Sequence, residues 1–309
     1  MKSAYIAKAK EILKTKRQAV QNKHNEFLEK LRTEYPAFRE AESKLNALYF
    51  EKARLESLNL SLGDLKEQIE NAEGELHREL KTMGVSAEEL EKGYYCPLCR
   101  DTGEAGGEAC ACVKREIAAL IAGKKDGRVT KKADFDTDFS LFKDAQKEYK
   151  TNYSLIKRIA NDYPDINTKV ILFCGRAGSG KSYLASILAN ALEQKLHDVI
   201  FIKAVRLNKL FLEYHLAPLE EKSGHLSALF DCGMLIIDDL GSENYLNNVT
   251  AEYLYQLIIE REDKTTLITT NLSPGEINDI YGSRVFSRLA DKSRSLWLKF
   301  DSEDLRLRP

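Results

Sequence analysis

Apolar positions follow two different rhythms along this chain. Near the start, Ile6, Leu13, Val20 and Phe27 recur every seven residues, and Pro36 then interrupts the helix they imply. Leu55, Leu58, Leu62, Leu65, Ile69, Ala72 and Leu76 follow at alternating spacings of three and four, with charges on the other faces. Such spacing is an a/d seam. Gly63-Asp64 breaks it, because Gly weakens a helix interior and Asp makes a good N-cap. Residues 1–92 therefore predict two or three helices folded into an antiparallel coiled hairpin. Such an arm has no chemistry of its own and serves either as a packing stalk or as a docking arm for a partner. From about residue 134 the rhythm changes. Short apolar runs at 170–174, 199–202, 234–238, 266–270 and 296–300 alternate with helical stretches. That alternation predicts an α/β domain over 134–309, with a central five-stranded parallel sheet. Between the two lie a Cys-rich segment, 93–115, and a linker, 116–133, that includes the polar run Lys124-Lys125-Asp126-Gly127-Arg128.

Composition narrows the picture only slightly. Of 309 residues, 43% are hydrophobic and 31% charged, enough for a core together with long exposed helices. The net charge of -1 provides no global positive field, so any nucleic-acid contact must be a local patch. No apolar run approaches the length a bilayer requires, and residues 1–10 lack the apolar stretch of a signal peptide. The expected compartment is the cytoplasm.

The chemistry concentrates at three strand ends. The run 170–174 leads straight into Gly175-Arg176-Ala177-Gly178-Ser179-Gly180-Lys181-Ser182, and a helical segment beginning at Tyr183 follows. Strand, Gly-rich loop and helix in this order form a phosphate cradle. The glycines let backbone N–H groups turn inward, and the helix N-terminus adds partial positive charge. Lys181 is placed to reach the β- and γ-phosphates of ATP, and the Ser182 hydroxyl to ligate Mg²⁺. An apolar run then ends in Asp238-Asp239. Asp238 suits Mg²⁺, directly or through water, and Asp239 suits polarising an attacking water. A turn or helix cap would account for such a pair alone; the upstream loop favours the nucleotide role. The third strand ends in Asn271, an amide able to orient water between γ-phosphate and acid, although it could simply open the turn towards Pro274.

Cys96-Pro-Leu-Cys99 and Cys110-Ala-Cys112 place four thiols close together in sequence. Two close pairs around a Gly-containing loop fit a closed, structural Zn²⁺ site. A reducing compartment argues against disulfides. No thioredoxin-like frame surrounds Cys96 for redox chemistry. An iron–sulfur cluster stays open.

Taken together, these elements resemble the AAA+ ATPases. More closely they resemble bacterial replicative helicase loaders of the DnaC/DnaI type and the related transposition ATPase IstB. The strings that carry the resemblance are 175–182, Leu-Ile-Ile-Asp-Asp-Leu-Gly-Ser-Glu at 235–243, 268–271, Gly-Ser-Arg-Val-Phe-Ser-Arg-Leu at 282–289 and 295–306. Tyr94-Tyr-Cys-Pro-Leu-Cys-Arg-Asp-Thr-Gly103 and the helical arm are similar to the subgroup common in Gram-positive bacteria and their phages. The resemblance implies a P-loop AAA+ core, with Arg288 as a finger that reaches the γ-phosphate held by a neighbouring subunit. Arg284 lies one turn earlier on the same face, and Arg306 is expected near nucleotide. It further implies a self-oligomer, single-stranded DNA and a DnaB-type helicase hexamer as partners, and no membrane. Lys203, Arg206 and Lys209 fall at the end of the domain that faces DNA in that family. Two departures stand out: Asp239 replaces the usual Glu, and the 38 residues after Asn271 leave no room for the usual helical lid. The first suits a slow switch better than a motor, and the second removes the lid-borne arginine, for which Arg306 would partly substitute. Three functions fit these residues: an ATP-switched helicase loader, an IstB-like transposition helper that recruits a transposase, and a non-hydrolysing ATP-dependent adaptor.

Overall fold

In a computed structural model, residues 2–86, 89–90, 93–123, 135, 147–195, 197–218, 222 and 226–301 are described. The chain separates into two compact units, Glu11–Glu108 and Met1–Lys10 with Ala109–Pro309.

The first unit contains most of helix α1 (Lys2–Glu34), then α2 (Pro36–Ser57) and α3 (Leu65–Met83). Pro36 sits in the first turn of α2, where its missing N–H costs nothing. The hairpin proper is α2 against α3: Leu45, Leu65, Ile69 and Ala72 form its core, with Leu48, Leu55, Leu62 and Leu76 packed around them. The Leu55–Leu76 seam is therefore shared between two antiparallel helices. Leu58, counted in that seam by spacing, falls in the connecting loop and is 58% exposed. Asp64 occupies the N-cap position of α3, but its side chain makes no capping bond. Helix α1 meets the hairpin at its end, where Leu31, Phe38 and Leu80 share a small core and Arg32 donates to both Glu42 oxygens at 2.6 and 2.7 Å. Further back along α1, the contacts are with the segments on either side of the first cysteine pair: His24 lies against Gly93, and Arg17 Nε is 3.8 Å from Asp101.

The second unit is a parallel sheet covered on both faces. Two short strands, β1 (Glu104–Ala105) and β2 (Glu108–Ala109), belong to the cysteine segment and were not visible as strands in the sequence. The sheet itself comprises β3 (Val170–Gly175), β4 (Val199–Lys203), β5 (Met234–Leu240), β6 (Thr265–Thr270) and β7 (Ser295–Phe300), in the order β4-β5-β6-β3-β7. All four pairings are parallel. The covering helices are α4 (Ala111–Ala122), α5 (Lys147–Asp162), α6 (Lys181–Gln194), α7 (Ala204–Leu216), α8 (Ser227–Asp231), α9 (Thr250–Glu260) and α10 (Pro274–Leu289). Side chains alternate between two cores. Val170, Leu172, Ile200, Ile202, Leu235, Ile237 and Ile268 face one side, and Ile171, Phe173, Val199, Phe201, Met234, Ile236 and Leu267 the other. Burial on both faces explains why these strands read as unbroken apolar runs. Residues 116–122, assigned to a linker from sequence, are the second half of α4, and Ala118 and Ile121 are buried in the sheet's core.

Candidate functional site

The sheet order places β6 between the strand leading into the Gly-rich loop and the strand carrying the paired acids. The ends of β3, β5 and β6 are therefore neighbours, and the three sequence-predicted clusters meet at one edge. Ligands of open α/β sheets bind at this carboxyl end of the strands.

Gly175 has φ 140, and a Cβ there would stand 2.0 Å from the Phe300 carbonyl oxygen. The close approach of β7 therefore demands glycine. Arg176 N–H donates to that same carbonyl at 3.0 Å, fixing the start of the loop. Ser179 Oγ donates to Arg176 O at 2.7 Å and closes the curl, and Gly180, with φ 94, caps α6. Lys181 Nζ lies inside the loop, donating to the carbonyls of Gly175 and Arg176 at 2.8 and 2.6 Å. The arrangement places an ammonium and the first N–H groups of α6 around one concavity, which fits a polyphosphate.

Asp238 is 2% exposed. Burial raises its carboxyl above the ordinary range, while hydrogen bonds from Ser182 and Thr269 act in the opposite sense. A buried carboxylate beside the Ser182 hydroxyl fits Mg²⁺, which would offset the cost of burying the charge. The ladder slips between Ile237 and Leu240, and Asp239 adopts φ 62. This bulge turns the second acid out of strict alternation. Asp239 then receives the Asn271 amide N–H at 3.2 Å. Thr269 was not singled out from sequence, yet it holds both acids: its Oγ1 donates to Asp238 Oδ1 at 2.7 Å and accepts from Asp239 N at 2.9 Å. A Thr inside an apolar strand was the available signal, but the β5–β6 register that gives it meaning is tertiary. Asn271 also precedes a capping box, in which Ser273 accepts from Glu276 N–H and Glu276 accepts from Ser273 N–H.

Arg284 and Arg288 follow on α10, and Arg288 is not at this edge. Both are exposed on α10. The Arg284 guanidinium stacks over the Tyr255 ring at 4.2 Å, and hydrogen bonds from Arg284 and then Arg288 hold the Tyr255 phenol below its usual pKa. Arg288 shares a cleft with Lys169 and Val170, at the opposite end of β3 from the phosphate loop. A six-residue strand spans about 17 Å, so this arginine lies about that far from its own chain's phosphate cradle. Arg306 lies outside the described residues. Lys203 and Lys209 are exposed, whereas Arg206 is engaged by Ile121 O at 3.2 Å and by Glu213 at 3.4 Å.

Cys96, Cys99, Cys110 and Cys112 are buried, their sulfurs all within 4.8 Å of one another, and none is in a disulfide. A tetrahedral Zn²⁺ with bonds of about 2.3 Å separates sulfurs by about 3.8 Å, so the four thiols need only small shifts to close on an ion. Hydrogen bonds brace the surrounding turns. Gly103 N–H donates to Cys99 Sγ at 3.4 Å, and Asp101 accepts from the N–H groups of Tyr95 and Cys96 at 3.1 and 2.9 Å. Gly106 and Gly107, with φ 62 and 81, make the left-handed turn between β1 and β2. We expect strong chelation, or Cys96→Ser, to release one equivalent of zinc by colorimetric assay and to expose the segment 93–112 to protease, while ATP binding persists. Retention of the segment's protease resistance without metal would count against a structural ion. Cys174 and Cys232 stand apart, and burial pushes both thiols up to about 11, which leaves them poor nucleophiles.

The family model described as IstB-like ATP binding protein matches residues 114–307. The replicative helicase loader DnaC of Escherichia coli (strain K12) is 24% identical over 147 residues, covering 47% of this chain and 59% of that protein. DnaC of Shigella flexneri matches to the same extent. The chain thus spans about 59% of the length of these relatives. Among solved structures, the DnaC helicase loader has a TM-score of 0.46 at 23% identity, covering 55% of this chain and 97% of that one. DnaI has a TM-score of 0.45 at 17% identity, covering 57% and 91%. With the family model spanning the loop, both acids and the arginine-bearing helix, the chain belongs to the IstB-like ATP binding protein family.

Proposed function

We propose that this protein is an ATP-switched loader that helps place a hexameric DnaB-type replicative helicase on single-stranded DNA. The observation that carries the reading is the division of the site. Lys181, Ser182, Asp238, Asp239 and Asn271 gather at one end of the sheet, while Arg288 lies beside Lys169 and Val170 at the other. An arginine so far from its own phosphate cradle is available to a neighbour's, which would make hydrolysis depend on assembly.

In this reading the loop 175–183 and Lys181 hold the phosphates of ATP, and Ser182 and Asp238 hold Mg²⁺. Bound Mg²⁺ neutralises phosphoryl charge. Asp239, steadied by Asn271, accepts a proton from the attacking water. Arg288 stabilises charge on the γ-phosphate of the adjacent subunit, supported by Arg284, and Arg306 contributes near nucleotide. The short reach of Asp239 suits slow turnover. Lys203 and Lys209 offer a local basic surface to single-stranded DNA. The helical arm, whose hairpin exposes Phe50, Leu58 and Leu60, and the Zn²⁺ knuckle grip the helicase. Such a role belongs in the cytoplasm.

The test is to mix the protein with candidate helicases, ATP and Mg²⁺ and to identify which hexamer co-elutes. Recovery of a transposase instead would favour the transposition-helper reading. No phosphate release with helicase and single-stranded DNA present would favour a non-hydrolysing adaptor. Arg288→Ala is expected to leave the ATP Kd within about 2-fold but to cut assembly-stimulated hydrolysis by about 10³-fold, the usual scale for a lost arginine finger. A normal rate in a phosphate-release assay would remove the arginine from the site.

A further inference from the structure

Between the acid cluster and the arginine-bearing helix lies a hydrogen-bonded pair that no role above uses. Glu243 follows the acids by four positions, on the loop leaving β5. One of its carboxylate oxygens accepts from Gly241 N–H at 2.9 Å, and the other accepts from the Tyr281 hydroxyl. Tyr281 is 3% exposed, and burial, then Glu243, raises its phenol well above the ordinary range, so it stays a donor at neutral pH. Tyr281 is also the last residue before a break in α10, where Gly282 has φ 83 and ψ 162. Arg284 and Arg288 follow on the far side of that break.

The same loop is wedged against the end of β6. A Cβ on Gly241 would stand 2.7 Å from the Leu272 side chain. Leu272 itself follows Asn271, which bonds Asp239. The acid loop, the Asn271 turn and α10 therefore converge through Asp239–Asn271, Gly241–Leu272 and Glu243–Tyr281. A phenylalanine would fill the buried position of Tyr281 equally well. The hydroxyl adds a directional tie, whose desolvation is offset by Glu243 and by a backbone hydrogen bond at Gly241.

We propose that Glu243 and Tyr281 are positioning residues that set the bend at Gly282 and thereby aim Arg284 and Arg288 at the neighbouring subunit's nucleotide. The proposal rests on the reading that Arg288 acts in trans. Contiguity alone does not demonstrate coupling, so the test must isolate the arginine-presenting half of a subunit.

The experiment uses mixed full-length assemblies with helicase and single-stranded DNA. Asp239→Asn subunits bind ATP and present an intact Arg288 but cannot activate water. Tyr281→Phe subunits keep an intact nucleotide cradle. Alone, Tyr281→Phe is expected to bind ATP within about 2-fold of the parent and to hydrolyse it about 10-fold more slowly. Mixed with Asp239→Asn, it should regain activity, because each partner supplies the half the other lacks. Arg288→Ala mixed with Asp239→Asn is the control. If that control is not rescued, the trans reading itself fails. If the control is rescued and Tyr281→Phe is not, the defect lies in the cradle and the positioning role is overturned. A Tyr281→Phe protein with the parent's rate overturns it as well. Should Tyr281→Phe not fold, Glu243→Gln is read by the same scheme; if neither folds, the pair is purely structural and the proposal fails.

Discussion

Lys181→Met is expected to abolish measurable Mg·ATP binding while the protein stays folded. Lys181 Nζ donates to Gly175 O, Arg176 O and Ser179 Oγ at 2.8, 2.6 and 3.3 Å, so the ammonium sits within the curl of the phosphate loop. Charge-assisted bonds to phosphate are among the strongest in proteins. Losing them should weaken ATP by at least about 100-fold, or about 2.7 kcal/mol. Methionine keeps most of the aliphatic stem beside α6, so the loop keeps its packing. Two measurements check this. Titration calorimetry should show saturable ATP binding only for the parent protein. Thermal melts should show that ATP at 100 times its Kd stabilises the parent by about 2.7 kcal/mol and leaves the variant unmoved. Near-normal affinity in the variant would place the phosphates elsewhere.

Arg261→Met should cause the largest loss of stability of any single change in the sheet domain. Arg261 is 1% exposed, at the end of α9. Its guanidinium donates to Leu229 O and Cys232 O at 2.7 Å, to Thr265 O at 2.8 Å and to Thr266 Oγ1 at 3.0 Å. It thereby ties the turn between α8 and β5 to the start of β6. These acceptors are buried, and methionine fills the volume but satisfies none of them. Breaking such a buried network costs about 3–5 kcal/mol. For a domain of this size that corresponds to a Tm lower by about 10 °C. Arg261→Lys keeps the charge but loses the planar fork, and should fall between the two. Thermal unfolding followed by circular dichroism checks both variants. A shift under about 3 °C for Arg261→Met would mean the carbonyls find other partners.

Arg261 also shows where reading the sequence stops. Nothing around it distinguishes it from a solvated arginine at a helix end. Its burial follows from how α8, β5 and β6 pack, and that packing joins residues up to 32 positions apart. Glu243 and Tyr281 are a second instance: each looks like an ordinary loop or helix residue until the sheet brings them together. Leu58 fails in the opposite direction, since its spacing fits the helical seam but a turn intervenes. Arg206 looked like part of a basic surface, yet it holds the end of α4.

The sequence by itself determined what depends on local spacing. The Gly-rich loop between strand and helix, the apolar runs of strands buried on both faces and the two cysteine pairs are encoded within short windows, because backbone turns and side-chain periodicity act at short range. It also placed Asp238, Asp239 and Asn271 at strand ends. Only the tertiary structure decided which strands are neighbours. Inserting β6 between β3 and β5 lets Thr269 brace both acids and brings Asn271 to Asp239, while the bend at Gly282 follows Tyr281 and leaves Arg288 about a strand's length from the phosphate loop. Those relations join residues far apart in sequence, so only the packing of the whole sheet fixes them.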